Sequence, residues 1–156
     1  DFSIGWNLNL NVYNFDLSVT TYGTFGNDIF RGFERNLNYT NKPVTVLARW
    51  TGEGTSNFEP RATFVDSNNN VRPSTRYVED GSYFKIKNVQ LGYNFNVSNS
   101  KNLDAVRLYL QGKNLMTFTD YTGYDPEMSY GVLDTGIDRG NYPSPRTVSV
   151  GLNVKF

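Results

Sequence analysis

Strict alternation of apolar and polar residues is the feature that most constrains the fold of this chain. The last eleven residues, RTVSVGLNVKF, place Val148, Val150, Leu152, Val154 and Phe156 at every second position. A period of two brings all of these side chains to one face of a β-strand. The pattern recurs four more times, so the sequence predicts an all-β fold. Its five long strands are expected near residues 2–12, 15–25, 82–95, 105–118 and 146–156.

The third of these segments changes phase near its middle. Val89 and Leu91 share one parity, whereas Phe84 and Ile86 have the other. A β-bulge near Lys87-Asn88 would bring both halves to the same face, because one extra residue reverses the alternation. The alternative is that the first half of the strand extends beyond the apolar zone.

The connections between these segments alternate in length. Two are short, whereas residues 26–81 and 119–145 form long polar stretches, the first with expected short helices near Arg31–Leu37 and Val44–Trp50. In an up-and-down antiparallel sheet, this order puts both short turns at one end and both long loops at the other. Strands of about ten residues match tilted transmembrane strands, and this loop asymmetry is typical of outer-membrane barrels with long extracellular loops.

The residue types exclude several kinds of chemistry. The chain has no Cys and no His, which excludes disulfides, thiol catalysis, His-based triads and metal sites built on those ligands. No cofactor is expected. The formal net charge is +0, so there is no electrostatic reason to expect nucleic acid as a partner. A mean hydropathy of -0.52 remains compatible with transmembrane strands, which are apolar only at alternate positions.

Five strands are too few to close a barrel, because at least about eight are typical. The chain also starts inside an alternating segment, Asp1-Phe2-Ser3-Ile4. We therefore expect the natural N-terminus to be missing and the chain to be one domain-sized piece, residues 1–156, of a larger transmembrane barrel. A soluble β-sandwich is the alternative, but its strands are usually nearer five or six residues and its connections are not sorted by length.

Parity assigns the residues of each strand to one of two environments. The residues expected to face lipid are Leu8, Leu10, Leu17, Val19, Leu91, Val106, Leu108, Leu110, Val148, Val150 and Leu152. The residues expected to face the barrel lumen are Asn7, Asn9, Asp16, Arg107, Gln111, Asn153 and Lys155. Aromatic residues at both strand ends agree with the girdles that mark the two bilayer interfaces.

The long loops contain the candidate contact residues. Trp50, Tyr124, Tyr130 and Tyr142 can stack on sugars or pack on a protein lid, although packing within the loops is the alternative. GYDPE, which includes Asp125, is interpreted as a structural or partner-contact turn, because nothing fixes the carboxylate separation that catalysis needs. DSNNNVRP lacks the Gly and Glu of an EF-hand loop, leaving only weak calcium binding as an option.

Several blocks resemble a known family. RYVEDGSYFKIKNVQLGYNF (76–95), RLYLQGKNLMTFTDYTGYDPE (107–127) and GIDRGNYPSPRTVSVGLNVKF (136–156) look like the C-terminal end of SusC/RagA-type TonB-dependent outer-membrane transporters. FDLSVTTYGTFGNDIF (15–30), Arg49-Trp50 and Pro60-Arg61 fit the same family. The blocks occur in the expected order over essentially the whole chain.

The resemblance implies a 22-stranded barrel of the bacterial outer membrane that imports oligosaccharides or peptides and is not an enzyme. It implies three partners: a plug domain with the rest of the barrel, TonB, and a SusD-like surface lipoprotein that acts as a lid. The plug, the TonB box and the N-terminal strands are absent from these 156 residues. A soluble carbohydrate-binding sandwich and a non-transport outer-membrane barrel remain as alternative functions.

The terminal strand also resembles the C-terminal signal that the outer-membrane assembly machinery recognises. Its expected elements are the alternating apolar residues Val150, Leu152 and Val154 and the terminal aromatic Phe156.

Overall fold

Long antiparallel strands form the main sheet of this chain. The computed structural model describes residues 1–33, 44–63, 65–97, 102–128 and 134–156. The main sheet has the strand order β1-β2-β5-β6-β8, and all of its neighbours are antiparallel. Its strands are β1 (Phe2–Val12), β2 (Phe15–Phe25), β5 (Tyr83–Phe95), β6 (Ala105–Thr119) and β8 (Thr147–Lys155). The predicted all-β, antiparallel character is confirmed.

The two ends of the main sheet differ in how the chain turns. At one end, Tyr13-Asn14 joins β1 to β2, and Tyr13 adopts a φ of 52°. The backbone N–H of Asn94 donates to the carbonyl of Asn14 over 2.8 Å, which closes the same end against β5. The long segments that follow β2 and β6 leave from the opposite edge, which we call the loop end.

The register gives the main sheet one apolar face. Leu10, Leu17, Leu91, Leu110 and Val150 lie directly opposite one another across all five strands. Residues opposite each other in a ladder share a face, so this row and its neighbours form a continuous apolar surface. The lipid-facing residues predicted from parity lie in these rows.

The other face of the sheet is polar. Its central row consists of Asn9, Ser18, Gln90, Gln111 and Ser149. Within this face, the side chain of Gln111 donates to Asn88 over 2.8 Å. The two parities of each strand therefore lie on opposite faces of the sheet, and the environment of each face stays a prediction.

A β-bulge at Lys87 resolves the change of phase in β5. Asn88 is paired with Thr20, and Ile86 is paired with the next residue, Thr21, so that Lys87 has no partner in the ladder. Phe84 and Ile86 consequently share the apolar face with Val89. Of the two interpretations of this segment, the bulge is the correct one.

A second, small sheet lies at the loop end. It has the order β4-β3-β7 and contains β3 (Asp28–Arg31), β4 (Val78–Asp80) and β7 (Ile137–Asp138). β3 is antiparallel to β4 and parallel to β7, which joins the two long loops to each other. This small sheet is not predicted from the sequence, because strands of two to four residues show no measurable alternation.

Two short 3-10 helices, Val44–Ala48 and Thr75–Tyr77, complete the described secondary structure. The first replaces the longer helix expected over Val44–Trp50. Arg31 ends β3, and Gly32 and Phe33 have 3-10 conformation; the rest of the helix expected near Arg31–Leu37, residues 34–37, lies outside the described residues. No helix among the described residues is both long enough and apolar enough to cross a membrane.

The buried residues gather where the main sheet meets the loop end. The buried residues include Ile29, Tyr77, Tyr83, Tyr121 and Lys85, of which Ile29 and Lys85 are fully buried. Rings also meet at both ends of the main sheet: Phe2 stacks on Phe25 at 5.2 Å, and Phe15 contacts Tyr93 edge-on at 4.8 Å. Most of the buried side chains among the described residues thus lie near the loop end.

Candidate functional site at the loop end

A strap formed by residues 120–128 lies against the polar face of β5. The ammonium group of Lys85 is 3.0 Å from a carboxylate oxygen of Asp125 and 2.9 Å from one of Glu127. Lys87 forms a further ion pair with Glu127. Only 2% of the Lys85 side chain is exposed, so its charge depends on these two carboxylates.

Asp125 is the centre of this strap. Besides Lys85, its carboxylate accepts hydrogen bonds from the backbone N–H of Glu127 at 3.0 Å and of Ser144 at 3.2 Å. Ser144 belongs to the segment that leads into β8, so one carboxylate ties together three parts of the loop end. These contacts agree with the structural role predicted for the GYDPE turn and leave a substrate or lid contact by Asp125 as a proposal.

The small sheet holds the start of the strap. Arg31 lies 3.0 Å from Glu79, and the Glu79 carboxylate accepts from both the hydroxyl (2.8 Å) and the backbone N–H (3.0 Å) of Thr122. The hydroxyl of Tyr121 donates to Asp138 over 2.6 Å. Burial, together with this hydrogen bond and the nearby carboxylates, raises the pKa of Tyr121.

The aromatic residues predicted to contact substrate or a lid lie in different surroundings. Tyr142 is 93% exposed, and Tyr124 is exposed while stacking on Phe33 at 6.4 Å between ring centroids. Trp50 is 38% exposed and lies in the other long loop. Tyr130 lies outside the described residues.

Two cavities at the loop end are lined by these aromatics. One, of about 460 Å³, lies beside the strap and is bordered by Lys85, Thr117, Tyr124, Asp125 and Arg146. The second, of about 440 Å³, lies in the first long loop and includes Trp50, Phe58 and Asn68 among its lining residues. Both volumes are in the range that small-molecule sites occupy.

The predicted calcium-like loop makes an ordinary turn. The carboxylate of Asp66 accepts the backbone N–H of Val71 over 3.2 Å. Among the described residues, no group of three or more acidic side chains is placed to hold a metal ion. Weak calcium binding therefore receives no support from the described geometry.

Two contacts on the polar face lie toward the short-turn end. Arg107 donates to the Asp16 carboxylate over 2.9 Å, and its guanidinium lies 5.1 Å from the Tyr109 ring centroid. Tyr109 in turn lies across Gly151 on the neighbouring strand, where an added Cβ would be only 2.2 Å from the ring. Because Gly151 has no side chain, the Tyr109 ring can lie across β8 at this position.

Sequence analysis did not identify Lys85 and Lys87 as the partners of the strap. Both are on β5, about forty residues before Asp125 and Glu127. The only sign of this pairing in the sequence is that two lysines occur in a strand and two carboxylates occur in a later loop. Lys85 and Lys87 share a parity, so alternation alone puts them on one face, but it does not show which loop residues they meet.

The sheet and the loops together define a class of protein. A sheet of long antiparallel strands has one continuous apolar face and one polar face, and its long loops gather at a single end. These features are those of a segment of a membrane β-barrel wall.

Comparison with known proteins specifies the class further. The chain is 36% identical over 174 residues to TonB-dependent receptor P3 of Formosa agariphila, a match that covers 100% of this chain and 16% of the relative. It is 36% identical over 169 residues to TonB-dependent receptor P26 of the same organism, covering 100% of this chain and 17% of that relative. The chain thus spans about one sixth of the length of these relatives. No family model matches the chain.

Solved structures share the fold. The RagAB peptide importer in its open-open state matches with a TM-score of 0.76 and 21% identity, over 99% of this chain and 17% of that chain. A second structure of the RagAB peptide transporter matches with a TM-score of 0.74 and 22% identity, over 97% of this chain and 17% of that chain. The chain belongs to the TonB-dependent receptor family, as the resemblance of its motifs indicated, and it has the fold found in these RagAB structures.

Proposed function

We propose that this chain forms the C-terminal part of the barrel of a TonB-dependent importer in a bacterial outer membrane. The importer takes up oligosaccharides or peptides. The observation that carries this proposal is the continuous apolar face of the main sheet, opposite a polar face, in a chain of the TonB-dependent receptor family. Relatives are named receptors and fold neighbours are named importers, which supports transport without catalysis.

The proposal assigns an environment to each surface. The apolar face contacts lipid, the polar face borders the lumen with its plug domain, and the loop end faces the exterior. β1 and β8 are the edge strands of the described sheet, and they pair with the remaining strands of a barrel of 22 strands. An edge strand presents unpaired backbone N–H and C=O groups, which lipid cannot satisfy.

The proposed partners follow from the same arrangement. TonB acts through the N-terminal plug, and a SusD-like lipoprotein covers the loop end. Trp50, Tyr124, Asp125, Tyr130 and Tyr142 are proposed contacts to substrate or lid. The exposed rings of Tyr124 and Tyr142 support this role, because aromatic residues are enriched in the centres of protein interfaces.

Deletion of the gene for the full-length protein tests the function. The deletion strain should lose growth on the imported nutrient while growing normally on a simple sugar or free amino acids. Complementation should restore growth in a strain with functional TonB and should fail in a strain without it. Growth restored without TonB would point to a non-transport or passive barrel and would contradict the proposal.

The assembly signal is a separate proposal. Val150, Leu152 and Val154 lie opposite Leu110, Leu108 and Val106, so the apolar side of β8 continues that of β6. Phe156 follows the strand and is largely exposed.

Deletion of Phe156 should lower the amount of assembled protein in the outer membrane several-fold, measured by heat-modifiable migration on gels. The protein that does assemble should bind ligand normally. Replacement of Phe156 by Tyr is the matched control and should assemble like the native protein. Normal assembly without Phe156 would contradict this role.

The soluble-sandwich alternative receives no support. The long strands of the described residues form one sheet, and their apolar faces stay exposed, as Leu110 and Val150 illustrate. A sandwich would bury this face against a second sheet of similar size.

A further inference from the structure

We infer that the cavity beside Trp50 is a saccharide subsite, which takes one ring of a neutral oligosaccharide. This inference rests on the proposed import function and decides between its two substrate classes. The cavity, of about 440 Å³, lies between residues 50–63 and 66–70 of the first long loop. Its lining combines two aromatic rings with several side-chain amides.

The aromatic part of the lining is Trp50 and Phe58. Within this chain Phe58 is 61% exposed and Trp50 is 38% exposed, so neither ring is fully packed against the described residues. An indole ring offers a flat apolar surface and one N–H donor. The apolar C–H face of a sugar ring matches such a surface, while its hydroxyl groups remain free to bond elsewhere.

The polar part of the lining is suited to hydroxyl groups. Asn57, Asn68 and Asn70 all border the cavity. Each side-chain amide offers two N–H donors and one carbonyl acceptor, and neighbouring hydroxyls of a sugar both donate and accept. A neutral side-chain amide can therefore form hydrogen bonds with two neighbouring hydroxyl groups.

The charges at the cavity cancel. Glu59 is paired with Arg76 at 2.7 Å, and the remaining charged lining residues are Arg61 and Asp66, of opposite sign. A balanced lining gives no net attraction for an acidic or basic ligand. This balance favours a neutral sugar over a charged terminus of a peptide.

The described part of the first long loop has no strand edge to which a bound peptide could add. The described residues 44–63 and 65–77 contain only the two 3-10 helices and no strand. An extended peptide bound by strand addition needs an open strand edge, from which main-chain hydrogen bonds supply its affinity. The walls of this cavity instead present side chains.

The cavity is held in shape before any ligand binds. The backbone N–H of Trp50 donates to the carbonyl of Glu59 over 2.9 Å, and the Arg76 guanidinium lies 5.6 Å from the Phe58 ring centroid. The buried Tyr77 donates to the carbonyl of Asn70 over 3.0 Å and contacts Phe30 of the small sheet. The cavity is thereby attached to the small sheet, which lowers the ordering cost of binding.

Titration calorimetry on the full-length protein in detergent tests the inference. The probes are short linear oligosaccharides of glucose, mannose, xylose or galactose and, separately, short uncharged peptides. We expect at least one oligosaccharide to bind. Trp50→Ala should weaken that binding about ten-fold, because loss of ring stacking removes on the order of one factor of ten in affinity.

Three further variants distinguish a binding role from a folding defect. Trp50→Phe keeps a flat ring and should remain within about three-fold of the native affinity. Asn68→Ala removes one amide and should weaken binding by about three-fold or more. Leu47→Ala changes an exposed residue of the same loop outside the cavity lining and should bind like the native protein.

The outcomes separate this inference from the proposed function. Binding of peptides alone, binding of no oligosaccharide, or oligosaccharide binding that is indifferent to Trp50→Ala would each overturn the saccharide subsite. TonB-dependent uptake of a peptide would keep the import function while removing this inference. Absence of TonB-dependent uptake would instead remove the import function itself.

Discussion

The main sheet and the loop end are stabilised by different interactions. In the main sheet, apolar rows such as Leu10, Leu17 and Leu91 share one face and remain exposed or half-buried within this chain. At the loop end, the buried groups include charges: Lys85 meets Asp125, and Arg31 meets Glu79. The first region thus relies on its surroundings for stability, and the second relies on specific pairs within the chain.

This difference teaches what each region tolerates. A lipid-facing position accepts any apolar residue of suitable size, because lipid adapts to its shape. A buried ion pair accepts few changes, because the removal of one partner leaves an uncompensated charge away from water. The predictions below test this contrast, beginning with the largest expected effect.

Arginine substitutions on the apolar face should have the largest effect. Leu108→Arg and Val150→Arg should each lower the free energy of unfolding by roughly 2–4 kcal/mol if these positions lie near the bilayer midplane. Denaturant unfolding of the full-length protein in lipid vesicles measures this effect. Ser149→Arg, an exposed position on the polar face, is the control and should change stability by about 0.5 kcal/mol or less. Neutral behaviour of both apolar-face variants would refute the membrane topology.

Removal of the Lys85 charge should loosen the strap. Lys85→Met should cost about 1–3 kcal/mol, because Asp125 and Glu127 are partly buried and lose a cation. Hydrogen exchange of residues 120–128 in the full-length protein should speed up, while exchange in β1 and β2 stays unchanged. Lys87→Met is the matched comparison, with a smaller effect expected because 36% of the Lys87 side chain is exposed. Equal effects of the two variants would argue against burial as the cause.

Adding a methyl group at Gly151 should disturb the joint between β6 and β8. The new Cβ would meet the Tyr109 ring at 2.2 Å, so the ring has to move, at a cost of about 1–2 kcal/mol. Gly5→Ala is a close control, because Gly5 also faces a tyrosine but leaves 3.8 Å to the Tyr22 ring. Thermal unfolding of both variants gives the comparison, and equal melting temperatures would contradict the role of Gly151.

The smallest effect is expected at Tyr121. Tyr121→Phe removes the donor to Asp138, which keeps its hydrogen bond from the Gly140 backbone N–H at 2.7 Å. The expected loss at neutral pH is therefore about 1 kcal/mol.

The raised pKa of Tyr121 also predicts a pH dependence. Below pH of about 10, tyrosine is protonated in both the folded and the unfolded chain. Above that pH the unfolded tyrosine ionises while the buried one keeps its proton, so stability falls as pH rises. Unfolding of native protein and Tyr121→Phe across this range should show a shallower decline for the variant. Parallel curves would rule out Tyr121 as a source of the alkaline dependence.

Sequence reasoning succeeded where the physical pattern was local. Alternation within each strand predicted an all-β antiparallel fold. The parity of Phe84 against Val89 indicated either a bulge near Lys87 or an extension beyond the apolar zone, and the register of β5 shows the bulge. The pairing of Lys85 with Asp125 spans forty residues and depends on the path of a loop, so no local pattern could reveal it. The small sheet was missed for the same reason, since Ile137-Asp138 alone carries no periodic signal.

The bulge at Lys87 determines which insertions and deletions β5 can tolerate. The side chains of β5 alternate between the two faces of the sheet. Lys87 is the one position in β5 at which an extra residue shifts this alternation. Deletion of Lys87 alone would leave Ile86 next to Asn88 in regular alternation, so Phe84 and Ile86 would stay on the apolar face and only the bulge would be lost. Insertion or deletion of one ladder-paired residue of β5 would instead turn the residues beyond it to the opposite face, whereas changes in pairs would keep the alternation.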